Sequence, residues 1–199
     1  MKKILLFCPY PEDEAPGQRL KYEQYLPYLR EKGYQIEVLP FFPLRAYKSL
    51  YSKGKTFSKI LFVLKGIAGR IASINKIFKS DGIYVAFNVI PIGPPIIEAL
   101  YLKLAKKIIY DIDDMIHLNR TSDVNKIASI FKSNTRYFML MTAANHVITC
   151  TPSLDKLARK YNQFTTDISS TINTSVYLPV NNYLNDHRII IGWTGSHST

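Results

Sequence analysis

The sequence predicts an α/β fold in which a mainly parallel sheet carries helices on both faces. Three observations lead there. Short apolar runs alternate with segments of helical periodicity from one end of the chain to the other. The runs are continuously apolar rather than alternating, as strands covered on both faces require. The chain has 199 residues, enough for one large core that buries roughly 70% of the surface of the unfolded chain. Such a core needs no disulfide or metal staple, and two cysteines, Cys8 and Cys150, cannot supply a disulfide framework.

The elements follow in order. KKILLFC, residues 2–8, is a buried first strand, and Pro9, Pro11 and Pro16 hold the next segment open. A helix over residues 18–32 carries Leu20, Tyr25, Leu26 and Leu29 near helical spacing. Pro27 implies a kink or a late start, and Gly33 supplies the stop. Residues 34–42 form the second strand. The longest helical pattern runs over 57–78, with Phe57, Ile60, Leu61, Leu64, Ile67, Ala68, Ile71, Ile74 and Phe78 recurring at three and four. Most of that stripe is expected to pack on the sheet. Strands at 83–87, 107–111 and 146–150 are separated by helices at 91–105 and 123–144. A helix at 152–161 and a sixth strand at 164–169 complete a Rossmann-like domain over residues 1–172, with five to seven strands and right-handed crossovers. Residues 173–187 are polar and loop-like and predict an interdomain linker. RIIIGW begins another strand outside that core, so residues 188–199 are expected to open an incomplete second domain.

Composition narrows the function classes. Lys plus Arg is 26 against 15 for Asp plus Glu, a formal charge of +11. Such a surface attracts nucleic acid, anionic lipid or phosphorylated ligands. From Val38 to Ser80 there is no acidic residue, while Arg45, Lys48, Lys53, Lys55, Lys59, Lys65, Arg70, Lys76 and Lys79 all fall there. The region Arg45–Lys79 is the expected contact with an anionic membrane, its entry segment Arg45–Lys59 foremost, with Lys59 and Arg70 on one flank of the long helix and Lys65 and Lys76 on the other. No helix-turn-helix, zinc, OB or RNP pattern accompanies the charge, so nucleic acid is not an expected partner. The apolar core of the first segment, Ile4–Cys8, is shorter than the ~7–15 residues of a signal peptide. No apolar run approaches the ~20 residues that span a bilayer. Reduced thiols and the basic stretch together predict a cytoplasmic setting, peripheral at the inner face of the plasma membrane.

Ligands of open parallel sheets collect outside the carboxyl ends of the strands. That rule selects the segments Pro9–Arg19, Asn88–Pro95, Asp111–His117 and Thr151–Ser153. In the first, Gly17 stands alone, so there is no dinucleotide fingerprint. Gly17, Gln18 and Arg19 stand at a helix mouth and suit an anionic or hydroxyl-rich ligand; alternatively Arg19 only solvates the helix start. Asp111, Asp113 and Asp114 are the densest chemical signal. Three carboxylates in four residues suit a general base tuned by like charge. Asp111-x-Asp113 also matches a metal-binding D-x-D pattern, and the bland reading is loop capping. His117 follows closely, but His146, His187 and His197 are dispersed and make no metal pattern. Glu23 and Glu31 on the first helix are spaced Glu-x7-Glu, which is treated as coincidence. No Walker A sequence and no G-x-S-x-G elbow occur.

Taken in order, APGQRLKYEQYLPYLREKGYQIEVLPFF, YDIDDMIH, ANHVITCTPSLDKLARKYN, SSTINTSVY and IIIGWTGSHST resemble the amino-terminal half of a GT-B-fold glycosyltransferase of family 4. The resemblance implies an acceptor-side domain of an enzyme that moves a sugar from a nucleotide sugar to a hydroxyl acceptor, a lipid-linked or polysaccharide intermediate. It implies Asp113 and Asp114, supported by Asp111, as catalytic groups, and Gly17, Gln18, Arg19 and His117 as the acceptor side. Gly195 and Ser196 would begin the donor diphosphate site. No cofactor or metal is implied, since the nucleotide sugar enters as co-substrate. Two departures stand out. There is no Glu after Glu98, so the family's donor-contacting Glu-x7-Glu element is missing, and SSTINTSVY lacks the usual Pro and Gly. The competing expectation is a non-catalytic module on an anionic membrane or a partner chain.

Overall fold

The structure is a computed structural model and describes residues 1–50, 56–114 and 135–178. Six strands form one sheet: β1 Lys2–Cys8, β2 Tyr34–Pro40, β3 Gly82–Ala86, β4 Ile108–Asp111, β5 His146–Thr149 and β6 Thr165–Asp167. Their order is β2-β1-β3-β4-β5-β6, and every pairing is parallel. This is a Rossmann-like α/β fold, as the alternating pattern predicts. Right-handed crossovers dictate where the helices go. The step from β1 to β2 runs one way along the sheet, and all later steps run the other way. The β1–β2 helices therefore land on one face, and the later helices on the opposite face.

On the first face lie α1 Pro16–Lys21, a 3-10 turn at Glu23–Tyr25, and α2 Leu26–Glu31. The single helix expected over 18–32 is thus broken in three. Pro27 sits in the first turn of α2, where its missing N–H costs nothing. Tyr22 and Leu26 pack there on Leu6, Cys8 and Ala86. A cavity of about 620 Å³ lies beside them, lined among others by Ile4, Tyr34, Ile36, Tyr84, Ile109 and Ile148.

The opposite face carries α3 Leu44–Leu50, α4 Thr56–Ala72, α5 Ile74–Phe78, α6 Ile96–Leu104, α7 Thr135–Ala143 and α8 Pro152–Ala158. Leu5, Phe7, Ile83, Val85, Ile108, Tyr110 and Val147 from the strands meet Ile77, Tyr101, Leu140, Met141 and Leu154 in the main core. The helix α3 falls inside the basic segment that the sequence left without an element. The pattern at 57–78 divides at Ser73, whose hydroxyl contacts Tyr101 Oη at 2.5 Å. The helix α6 starts at Ile96 rather than Pro91, behind two prolines. Of the helix expected at 123–144, the described portion is α7. The strand expected at 188–193 and most of the linker lie outside the described residues.

Two sequence expectations about α4 are overturned. Arg70 is not on a solvent flank: it is 3% exposed. Its guanidinium donates to the carbonyls of Cys8 at 2.9 Å, Leu39 at 2.7 Å and Val89 at 2.9 Å. It also lies over the rings of Phe7 and Phe41. Burial brings its pKa down to about 10, still charged at neutral pH. With Arg70 turned inward, only part of the apolar stripe packs on the sheet. Phe62, Val63, Ile67 and Ile74 join the core, while Phe57, Ile60, Leu61, Leu64, Ile71 and Phe78 are exposed.

Backbone proximity on the inner side of α4 is tested by two glycines. A Cβ on Gly66 would stand 2.6–2.8 Å from three ring atoms of buried Phe41, whereas one on Gly69 would meet nothing within 4 Å. Gly66→Ala should therefore destabilise the domain by about 1–3 kcal/mol through overpacking. Gly69→Ala should stabilise it by about 0.5–1 kcal/mol through helix propensity. Urea unfolding of the two variants checks this, and equal effects would place Phe41 elsewhere.

Candidate functional site

The site is built at the carboxyl ends of β1, β3 and β4. Asp111 is the last residue of β4, in register with Ala86 of β3 and Ile148 of β5. Beyond it the chain stays tied to the sheet edge: Ile112 N–H donates to Ile148 O at 2.9 Å, and the Cys150 thiol donates to Asp113 O at 2.7 Å. Asp113 is thereby held over the strand ends, while Asp114 is exposed.

The helix α1 supplies the other wall. Gly17, Gln18 and Lys21 lie on one helical face, three and four residues apart, and line a small crevice with Tyr22, Phe87, Asp111 and Asp113. A Cβ on Gly17 would stand 4.0 Å from Asp113 Oδ2. Gln18 is buried and engaged on both ends of its amide. Its Oε1 accepts from Tyr10 N–H at 3.0 Å, and its Nε2 donates to Tyr10 O at 3.0 Å and to Glu23 Oε1 at 2.8 Å. Glu23 in turn accepts from Asp13 N–H at 3.0 Å, and burial raises its pKa. Gln18 and Glu23 together fold the Pro9–Ala15 loop onto α1. Arg19 points away from the crevice. It is exposed and lines a separate groove with Glu12, Asp13, Glu23, Arg30 and Tyr177.

Lys21 is the residue that sequence reasoning missed. It is 6% exposed, its ammonium stands 2.6 Å from Asp111 Oδ1, and it donates to Ile112 O at 3.1 Å. Tyr84 donates its hydroxyl to Asp111 Oδ2. Burial still raises the Asp111 pKa against the pull of Lys21. Burial likewise pushes Asp113 up to about 6, with Lys21 opposing and the charges of Asp111 and Asp114 adding. Among the described residues Asp113 Oδ1 is buried with no hydrogen-bond partner, which costs the folded state free energy. The only sequence signal for Lys21 was its spacing: it shares a helical face with Gly17 and Gln18.

Two further features shape the crevice. Phe87 follows β3 with φ of 67°, a conformation that a bulky residue adopts only under constraint. The constraint is visible: Phe87 N–H donates to Asp111 O at 2.9 Å, and Phe87 O accepts from the Tyr110 hydroxyl at 3.0 Å. The neighbouring loop Asn88–Pro95 is fastened by buried Arg136. It pairs with Glu98 at 3.3 Å and donates to the carbonyls of Ile90 and Gly93.

The structure thus brings Gly17, Gln18, Asp111 and Asp113 together and sets Arg19 apart. His117, Gly195 and Ser196 lie outside the described residues. So do Lys53 and Lys55 of the basic segment. Cys8 is buried, and desolvation pushes its thiol up to about 12. Among the described residues no group of three His, Cys, Asp or Glu is placed to hold a metal ion, and no helix is long and apolar enough to cross a membrane. Beyond β6 the chain returns over α1: Gln24 donates to Thr171 O at 3.0 Å, and Tyr25 Oη meets Thr171 Oγ1 at 2.7 Å.

Fold and site together define a Rossmann-like domain in which a buried lysine ties Asp111 to the Ile112 carbonyl at the strand ends. In comparisons with known proteins, no family model and no curated protein matches the chain.

The raised Asp113 pKa carries a stability consequence. Between about pH 4 and the folded value of about 6, the native state holds a proton that the unfolded chain has released. Stability therefore falls as pH rises through that window. Asp113→Asn removes the ionising group, so its melting temperature should exceed that of the parent at about pH 8 and converge with it near pH 4. A difference that does not vary with pH would show that the carboxyl ionises as freely folded as unfolded.

Proposed function

We propose that the chain is the acceptor-side domain of a glycosyltransferase and that Asp113 is the general base for the acceptor hydroxyl. The observation that carries this reading is the state of Asp113: a carboxyl at the strand ends, pKa raised to about 6, with one oxygen buried and without a hydrogen-bond partner among the described residues. A base must accept a proton at working pH, and a value near neutrality serves that better than an ordinary aspartate.

The chemistry assigns a role to each neighbour. Asp113 takes the proton of the acceptor hydroxyl as its oxygen forms the bond to the anomeric carbon. The bond between that carbon and the diphosphate breaks, and the electron pair leaves with the nucleotide. Lys21 opposes the rise that burial imposes on the Asp111 pKa, and the two together hold the Asp113 loop in place. Gly17 keeps the wall opposite Asp113 free of a side chain. The ordered resemblance to the acceptor half of a family 4 enzyme supports the substrate class, a nucleotide sugar and a hydroxyl acceptor, with the donor groups supplied from outside this domain.

Fused ahead of a donor-binding domain, Asp113→Asn should lower kcat by about 10²–10⁴-fold with little change in acceptor KM. In the chain alone, carbon-detected NMR of Asp113 should show a midpoint near 6 that moves when acceptor saccharide is added. Full turnover by Asp113→Asn would remove Asp113 from the chemistry.

A further inference from the structure

We propose that the outward face of α4 and α5 is a docking face for an anionic phospholipid surface. The inference is independent of the transferase reading, since it rests on the opposite side of the molecule from α1 and on none of the site residues.

The helix α4 is apolar on nearly every side, a pattern that belongs to a helix buried all round. Only half of it is covered. Phe62, Val63 and Ile67 face the core, and Arg70 is buried beneath the helix. Turned outward are Phe57, 74% exposed, and Leu64, 56% exposed, with Ile60, Leu61 and Ile71 about half exposed. These five are spaced three, one, three and seven residues apart, which is a single stripe along a helix. Phe78, half exposed, extends it onto α5. Six large apolar side chains in one run make a patch of the kind that marks an interaction surface.

Charge selects what covers it. No acidic residue occurs between Glu37 and Asp81, and Glu37 is already held by Lys3 and Lys76. Exposed Lys65 lies beside Leu64 and one turn beyond Leu61, and exposed Lys79 follows Phe78. Exposed Arg45 and Lys48 stand on α3, which packs against α4. A second copy would set like charge against like. Nucleic acid would meet the cations but leave the apolar stripe against phosphate. An anionic bilayer matches both features: the stripe enters the boundary of the acyl chains while lysines reach the phosphates. The helix lies along the surface, and its seventeen residues are not required to span.

Flotation with vesicles tests the proposal. The chain should float with vesicles in which one phosphatidylcholine in three is replaced by phosphatidylglycerol, and far less with phosphatidylcholine alone. Raising the salt from about 0.1 M to about 1 M, which shrinks the Debye length from ~10 Å to ~3 Å, should release it. Leu61→Ser/Leu64→Ser and, separately, Lys65→Glu should each lower the partition coefficient by on the order of tenfold or more. Their circular dichroism and melting should be unchanged, because these side chains face solvent. Lys156→Glu, an exposed cation on α8, should bind like the parent. Absence of flotation, equal partition into both vesicle types, or full binding by the leucine variant would each overturn the proposal. So would a dimer in analytical ultracentrifugation that the leucine variant dissolves, because the face would then belong to a second copy.

Discussion

One buried guanidinium organises this domain. Arg70 reaches from α4 to the carbonyls of Cys8, Leu39 and Val89, the points where β1, β2 and the chain after β3 leave the sheet. Backbone carbonyls at strand ends need partners, since a buried carbonyl left alone is costly; that of Cys8 also accepts from Phe41 N–H at 2.8 Å. A planar group with five donors can satisfy several at once where an ammonium cannot. The arrangement also fixes the rotation of α4. Leu61 lies nine residues from Arg70, two and a half turns away, and so faces diametrically outward. The clamp that closes the strand ends thus presents the apolar stripe to the surface.

The second constraint is the handedness of the crossovers. With β1 inside the sheet and β2 at its edge, only the first connection winds onto the α1 side. That connection brings Gly17, Gln18 and Lys21 over the carboxyl end of β4. It explains why Lys21, Gln18 and Gly17 meet Asp111 and Asp113 from far apart in the sequence, and why the later helices among the described residues crowd the other face.

Within the site, Lys21, Asp111 and Asp113 share a poorly solvated corner. A buried ion pair gains little net stability, because desolvation offsets the Coulomb attraction. What it does supply is a defined position: Lys21 ties Asp111 to the carbonyl of Ile112, and Asp113 is held with one carboxyl oxygen that finds no hydrogen-bond partner among the described residues. The left-handed Phe87 is a second local cost in the same place. Backbone strain and carboxyl pKa values raised by burial thus gather at one point at the strand ends.

The parallel α/β sheet was legible in the sequence because continuous apolar runs and helical periodicity are local signals. All six strands fell where the runs predicted, and the carboxyl-end rule singled out the loop of Asp111 and Asp113. Pro27 announced the break between Tyr25 and Leu26, since a missing donor acts wherever it stands. The inward turn of Arg70, the outward turn of Leu61 and Leu64, and the burial of Lys21 could not be found that way. A charged residue within a helix reads as a solvent group unless its partners are known, and here the partners are carbonyls and a carboxylate brought close only by the crossovers. Apolar periodicity fixes that a helix has a stripe; which side meets the sheet depends on the groups waiting at the strand ends, and that is decided by the tertiary structure alone.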